Sequence, residues 1–132
     1  MDKKFKSNHN VVYSCCYHVI WCPKYRRTLL TNSVEARLQE LSHQKADELG
    51  LTIETCEIMP DHVHLFIKSS PVDSPHFIVQ QLKGYTSRIL RQEFPQLKTR
   101  VPTLWTRSYY IESVGHISES TVKKYIEDQK NQ

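Results

Sequence analysis

The chain has 132 residues, enough for one domain (residues 1–132) with a small core and too few for a β/α barrel or a paired dinucleotide-binding fold. Apolar residues make up 39% and charged residues 24%, near the values for an ordinary globular domain, and the counts of 3 Gly and 6 Pro exclude collagen-like and low-complexity classes. The net charge of +4 is a mild excess that permits a nucleic-acid partner without requiring one.

The compartment is predicted from what the sequence lacks. No run approaches the ~18 consecutive apolar residues that a membrane span needs. No apolar segment with a cleavage site follows the charged residues 1–6 (MDKKFK). The cysteines form no CxxC pair and are expected to be free, buried apolar residues: Cys15, Cys16, Cys22 and Cys56. We therefore expect a cytoplasmic protein.

The first third of the chain predicts a strand, a loop and a helix. Residues 11–22 (VVYSCCYHVIWC) are rich in β-branched and aromatic side chains, and Pro23 ends this strand. Residues 23–27 (PKYRR), here called the basic segment, are expected to form a loop. Ser33 is a candidate N-cap, and apolar residues at helical spacing predict a helix over 33–49 that Gly50 ends.

The middle of the chain predicts a hairpin and a second helix. Residues 51–59 and 62–68 are strand-like, and Pro60 and Asp61 form a tight turn between them. Ser74 followed by a proline at the first helical position predicts a helix that ends near residues 94–95.

The last part predicts a strand over residues 104–114 and, after Gly115, a final helix over about 119–131 capped by Ser118. The order β-α-β-β-α-β-α predicts an α+β protein. Its first six elements match the ferredoxin-like or RRM-like plan, an antiparallel sheet under two helices (βαββαβ), and the seventh is an appended C-terminal helix. One face of such a sheet stays free for a partner, although fold alone does not define function.

His62 and His64 flank Val63 in the second hairpin strand. Alternation along a strand puts both imidazoles on one face, where they can bind one divalent metal ion. Two unrelated strand histidines are the alternative. A catalytic metal needs a third ligand, for which Asp61 is near in sequence. Hydrolases of the histidine-triad type use a third alternating histidine, but that position is Phe66.

Tyr125 and Gln129 are four residues apart and therefore neighbours on one face of the final helix. A tyrosine beside an apolar stripe usually packs in a core or interface. A phenol with an ordinary pKa of about 10 would need a metal-polarised electrophile to attack at neutral pH. The residues alone do not make Tyr125 a nucleophile.

Basic and aromatic residues suggest a nucleic-acid surface. Basic side chains track phosphates and aromatic faces stack on unpaired bases. The candidates are Trp21, Lys24, Tyr25, Arg26 and Arg27 around the basic segment and Lys83, Arg88 and Arg91 on the second helix. Lys98 and Arg100, in the loop expected to follow, are more easily explained as solvated surface charges.

Three motifs together resemble a known family. Residues 59–66 (MPDHVHLF), followed near the end by residues 121–129 (TVKKYIEDQ), resemble the HUH single-tyrosine transposases of small bacterial and archaeal insertion sequences. Residues 17–27 (YHVIWCPKYRR) resemble the opening strand and loop of that family. The resemblance covers nearly the whole chain.

The resemblance implies a metal-dependent transposase that cleaves and rejoins single-stranded DNA with hairpin ends through a 5′-phosphotyrosine intermediate. It implies Tyr125 as nucleophile and His62, His64 and Gln129 as ligands of Mg²⁺ or Mn²⁺. It also implies a homodimer with composite sites, in which the tyrosine helix of one subunit completes the metal site of the other. Gly115 lies where the family has a flexible joint.

Two other functions fit the same residues. One is a non-catalytic RRM-like module that holds single-stranded nucleic acid, with Tyr125 and the histidines as packing residues. The other is a small metallohydrolase in which the His-x-His pair binds zinc and water is the nucleophile. The second alternative predicts activity that survives Tyr125→Phe.

Overall fold

A computed structural model describes residues 6–7, 12–115, 124 and 126–127 of the chain. Its strands are β1 (Lys6–Ser7), β2 (Val12–Tyr13), β3 (Cys15–Trp21), β4 (Thr52–Met59), β5 (His62–Ser69) and β6 (Tyr110–Ser113). Its helices are α1 (Asn32–Leu49), α2 (Pro75–Glu93) and α3 (Gln96–Arg100), with a short 3₁₀ helix over Lys24–Arg26.

Four strands form one antiparallel sheet in the order β4-β5-β3-β6. The first strand of the fold, β3, therefore lies in the middle, between the second hairpin strand and the last strand. This order, with α1 and α2 as the two crossover helices, is the ferredoxin-like arrangement and confirms the predicted fold class. The strands β1 and β2 form a separate two-stranded sheet.

The core lies between the sheet and the two long helices. On β5, buried and half-exposed residues alternate along the whole strand, so one face is buried and the other is open. The helices α1 and α2 contribute apolar residues at spacings of three and four, which form one stripe on each helix. The fully buried side chains include Leu38, Leu41, Leu65, Leu82 and Leu90.

Some predicted boundaries are confirmed and others are wrong. The Ser74 side chain accepts a hydrogen bond of 3.1 Å from the amide of Phe77, so the predicted cap of α2 is correct. Ser33 is not the cap of α1, because the helix begins at Asn32 and the residue before it is Thr31. The expected loop around Lys98 is the short helix α3.

The first and last predicted strands are shorter than expected. The segment 11–22 is interrupted at Ser14, which separates β2 from β3. In the segment 104–114, only β6 pairs with the sheet, while Leu104 and Trp105 turn into the core and Trp105 bridges to Pro23.

The final helix, predicted over 119–131 with Tyr125 and Gln129, lies outside the described residues except for Lys124, Ile126 and Glu127, whose backbone is helical. In the described part of the chain, no helix has the length and apolar character to cross a membrane.

Candidate metal centre and its surroundings

The β4–β5 hairpin positions both histidines of the motif on one face. Val63 is fully buried against the helices, whereas the side chains of His62 and His64 are 36% and 30% exposed on the open face of the sheet. Pro60 and Asp61 form the two-residue turn, so that Met59 pairs directly with His62. The predicted alternation is therefore confirmed.

His62 is engaged at Nδ1, and no partner from the described residues lies at its Nε2 atom. Its Nδ1 atom lies 2.8 Å from Oδ1 of Asp61, whose Oδ2 accepts a hydrogen bond of 3.0 Å from Arg26. The bonds from His62 and then from Arg26 hold the pKa of the Asp61 carboxyl below its ordinary value. Because an ionised carboxylate only accepts, we assign the His62 proton to Nδ1 and the lone pair to Nε2.

His64 meets residues of both neighbouring strands. Its Nε2 atom lies 3.1 Å from Nδ1 of His18 on β3, and its Nδ1 atom lies 3.6 Å from Oε2 of Glu57 on β4. A proton on Nδ1 of His64 faces the carboxylate favourably, whereas a lone pair there would face it unfavourably. We therefore assign His18 as the donor and Nε2 of His64 as the acceptor.

The donor set fits a divalent metal ion in part. Two neutral imidazoles on one face supply two ligands, and the carboxylate on His62 is the kind of partner that orients a ligating histidine. Within the described ranges, no three side chains of His, Cys, Asp or Glu are grouped to hold a metal ion. The predicted third ligand, Gln129, lies outside those ranges.

The basic segment is exposed and carries an unusual backbone. Tyr25 is 66% exposed, and the ammonium group of Lys24 lies 5.4 Å from the centre of its ring. Tyr25 and Arg26 have φ of 61° and 50°, in the left-handed region. Arg27 is also exposed. This surface can offer cations to phosphates and one aromatic face to a base.

Trp21 corrects the sequence-based expectation. The sequence predicts it to be a stacking residue beside the basic segment, but it is only 1% exposed and packs edge-on against Trp105, with ring centres 5.9 Å apart. It lies on the same face of β3 as the buried Val19, because residues two apart in a strand share a face. A buried indole cannot stack on a base, so Trp21 is a core residue.

The basic residues predicted on α2 have different surroundings. The ammonium group of Lys83 donates to the carbonyl oxygens of residues 106, 107 and 108 at 2.6, 3.4 and 3.2 Å, and burial lowers its pKa. Arg91 donates to the carbonyl of Pro102 at 3.0 Å. Arg88 is exposed and lies against the ring of Tyr85. Lys83 and Arg91 therefore hold the chain that leads into β6.

Sequence reasoning missed His18 and Glu57 as neighbours of the motif. Alternation on β3 could have put His18 on the face opposite Val19, but it could not give the pairing with β5. In the structure Ile20 pairs with His64 and His18 pairs with Phe66, so the two imidazoles meet diagonally across the strands.

The sequence is similar to known proteins over almost its full length. The sequence model of a family described as "Transposase IS200 like" matches residues 11–129. The ISDra2 transposase TnpA of Deinococcus radiodurans is 37% identical over 128 residues, covering 96% of this chain and 91% of the relative. The transposase for insertion sequence element IS200 of Salmonella typhimurium is 27% identical over 126 residues, covering 94% of this chain and 82% of the relative.

Two solved transposase structures are also similar to this protein. A crystal structure of a candidate transposase from Deinococcus radiodurans R1 has a TM-score of 0.79 and 33% identity, covering 94% of this chain and 97% of the other. A REP-associated tyrosine transposase bound to a REP hairpin has a TM-score of 0.60 and 10% identity, covering 93% of this chain and 67% of the other. The second likeness concerns the fold alone.

Proposed function

Because the chain belongs to the family of IS200-like transposases, we propose that it cleaves and rejoins single-stranded DNA at insertion-sequence ends through a 5′-phosphotyrosine intermediate. The family match over residues 11–129 includes the histidine pair and Tyr125. The observation that carries the proposal is the pair of imidazoles on the open face, one of which has no partner at Nε2 among the described residues.

His62, His64 and Gln129 would hold a Mg²⁺ or Mn²⁺ ion. Such an ion, when bound, polarises a phosphoryl oxygen and orients the scissile phosphate. Two neutral imidazoles and an amide oxygen leave the charge of the cation unneutralised by the protein. The carboxylate of Asp61 lies on His62 and Arg26, so it supports one ligand and does not cancel that charge directly.

Tyr125 is the proposed nucleophile. Its phenol oxygen attacks phosphorus and loses its proton, while the bond from phosphorus to the 3′-oxygen breaks and that oxygen takes up a proton. The products are a 5′-phosphotyrosine and a free 3′-hydroxyl. Since one phosphodiester replaces another, the reverse attack by a 3′-hydroxyl rejoins DNA without ATP.

The active unit is proposed to be a homodimer with composite sites. Support comes from the division of the site along the chain: the imidazoles lie on the sheet, whereas Gln129 and Tyr125 both belong to the predicted final helix. The third ligand and the nucleophile would therefore arrive together on one element. Gly115 precedes that helix in the sequence, and no atom of the described residues lies within 4 Å of the point that a Cβ atom would occupy there.

The proposed partner is single-stranded DNA with hairpin ends. The basic segment supplies Lys24, Tyr25, Arg26 and Arg27, and α2 adds Arg88, all of them accessible or partly accessible. The sequence also predicts DNA contacts for Lys83 and Arg91, and either could make them only alongside the carbonyl contacts that it already has.

A covalent-adduct assay tests the function. The protein is incubated with Mn²⁺ and a labelled hairpin oligonucleotide, and a denaturing gel separates protein–DNA adducts from free DNA. Tyr125→Phe should keep binding and lose the adduct, whereas the control Tyr25→Phe should keep both. Cleavage without any adduct would favour the metallohydrolase, and binding without cleavage would favour the RRM-like module.

A further inference from the structure

Asp61 lies between the basic segment and the histidine pair, and its two carboxylate oxygens serve different partners. Oδ1 lies 2.8 Å from Nδ1 of His62, and Oδ2 accepts a hydrogen bond of 3.0 Å from the guanidinium group of Arg26. A carboxylate held at both oxygens keeps its orientation, so the acceptor remains directed at His62.

The backbone holds Arg26 in reach of this carboxylate. Two consecutive residues with left-handed φ, Tyr25 and Arg26, are rare outside glycine and persist only where the surroundings enforce them. The amide of Leu30 donates to the carbonyl of Pro60 at 3.0 Å, which joins the chain after the basic segment to the hairpin turn. The basic segment and the turn therefore form one connected unit.

We propose that Asp61 is a positioning residue of the metal centre: it keeps the proton of His62 on Nδ1, which leaves Nε2 free for the metal ion, and Arg26 holds Asp61 in place. The inference rests on the proposed function, because it takes His62 as a metal ligand. A neutral imidazole exchanges between two tautomers, and only one of them offers Nε2. The carboxylate partner selects that tautomer.

Direct ligation by Asp61 is the competing interpretation. Both of its oxygens are already engaged, and the partner of Oδ2 is a guanidinium cation 3.0 Å away. Binding a metal ion through Asp61 would break one of these bonds and bring the ion close to that positive charge. The contacts therefore favour a positioning role over a ligand role.

The first experiment measures the tautomer without metal. Imidazole ¹⁵N NMR is recorded on the full chain, on Asp61→Ala and on the control Asp47→Ala, which removes an exposed carboxylate of α1. We expect one Nδ1–H tautomer of His62 in the parent and the control, and a mixture in Asp61→Ala.

The second experiment measures Mn²⁺ affinity by electron paramagnetic resonance on the same proteins and on Arg26→Gln. Asp61→Ala should bind Mn²⁺ roughly 10- to 100-fold more weakly, the usual cost of removing a carboxylate behind a ligating histidine. The Mn²⁺ affinity of Arg26→Gln should fall between those of Asp61→Ala and the parent.

The outcomes separate the inference from the proposed function. An unchanged His62 tautomer in Asp61→Ala, with Mn²⁺ binding intact, overturns the inference and leaves the function standing. An unchanged His62 tautomer in Asp61→Ala together with weakened Mn²⁺ binding also overturns it, because that is the pattern of a direct ligand. A parent protein that binds neither Mn²⁺ nor Mg²⁺ refutes the metal-dependent function and, with it, the positioning role.

Discussion

The Nδ1 atom of His18 lies 3.1 Å from the Nε2 atom of His64, so a histidine of the neighbouring strand occupies the nitrogen that His64 would offer to a metal ion. The ring of His18 also packs against Phe66, with centres 4.9 Å apart. Metal binding at Nε2 of His64 therefore competes with a hydrogen bond within the protein.

His18→Phe should raise the affinity for Mn²⁺. The substitution keeps a ring against Phe66 and removes the nitrogen that competes for His64. Since a hydrogen bond contributes about 0.5–1.5 kcal/mol net, the affinity should rise about 2- to 10-fold. Isothermal titration calorimetry measures this, and weaker binding in His18→Phe would mean that His18 assists the metal ion and does not compete with it.

The proposed ligands should differ in importance. His64→Ala should abolish metal-dependent cleavage, whereas Gln129→Ala should weaken it less, because an amide is a poorer ligand than an imidazole. Cleavage rates at a series of Mn²⁺ concentrations measure this, and excess Mn²⁺ should partly restore Gln129→Ala only. Equal, unrescued loss in both variants would argue against this ranking of ligands.

Mixed dimers test whether the sites are composite. A heterodimer of one Tyr125→Phe subunit and one His64→Ala subunit retains one intact site if the tyrosine acts across the dimer. It retains none if the tyrosine acts within its own subunit. We expect the mixture of two inactive variants to regain cleavage, as measured on the labelled oligonucleotide. Inactive mixtures that contain verified heterodimer would contradict the composite arrangement.

Substitution of Lys83 should lower stability, whereas substitution of Arg88 should weaken DNA binding. Lys83→Met removes a cation that binds three carbonyls, and charged hydrogen bonds of this kind contribute about 1.5–3 kcal/mol, so the free energy of unfolding should fall by a similar amount. Arg88→Gln should leave stability unchanged and weaken DNA binding. Urea unfolding measures the stability of each variant, and an oligonucleotide binding assay measures its affinity for DNA. An unchanged urea midpoint for Lys83→Met would show that the carbonyl contacts contribute little to stability.

Lys24 and Arg27 should contribute to binding by neutralising phosphates. Replacing both by glutamine should weaken binding and lower the slope of log affinity against log salt by about 0.7 for each phosphate of a single strand that is no longer neutralised. Fluorescence anisotropy at several salt concentrations measures the slope. The double variant Lys98→Gln/Arg100→Gln is the matched control on α3, and it should keep the parent slope; equal effects in both proteins would indicate non-specific charge.

Local patterns in the sequence predicted the parts of the site that depend on neighbouring residues. The alternation around Val63 gave the shared face of the two histidines, and Ser74 with Pro75 gave the start of α2. The antiparallel sheet under two helices was also predicted from the element order, since a βαββαβ chain with short connections has few ways to form one antiparallel sheet.

Contacts between distant residues could not be predicted in the same way. His18 and His64 are 46 positions apart, and their meeting depends on the register of β3 against β5. The carbonyls that surround Lys83 belong to an irregular segment for which no periodicity exists. The burial of Trp21, by contrast, could have been predicted, because Trp21 and Val19 lie on the same face of β3. Strand alternation indicates burial more strongly than aromatic character near basic residues indicates stacking on a base.

The hydrogen bond between Leu30 and Pro60 has a consequence for how the protein opens. It ties the chain that follows the basic segment to the turn that directly precedes His62, and the Leu30 side chain is buried in the core. The two are therefore expected to exchange their amide protons together, as a single cooperative unit. A substitution that disturbs the backbone near Arg26 would then also lower the local order of His62, even if it changed no charge.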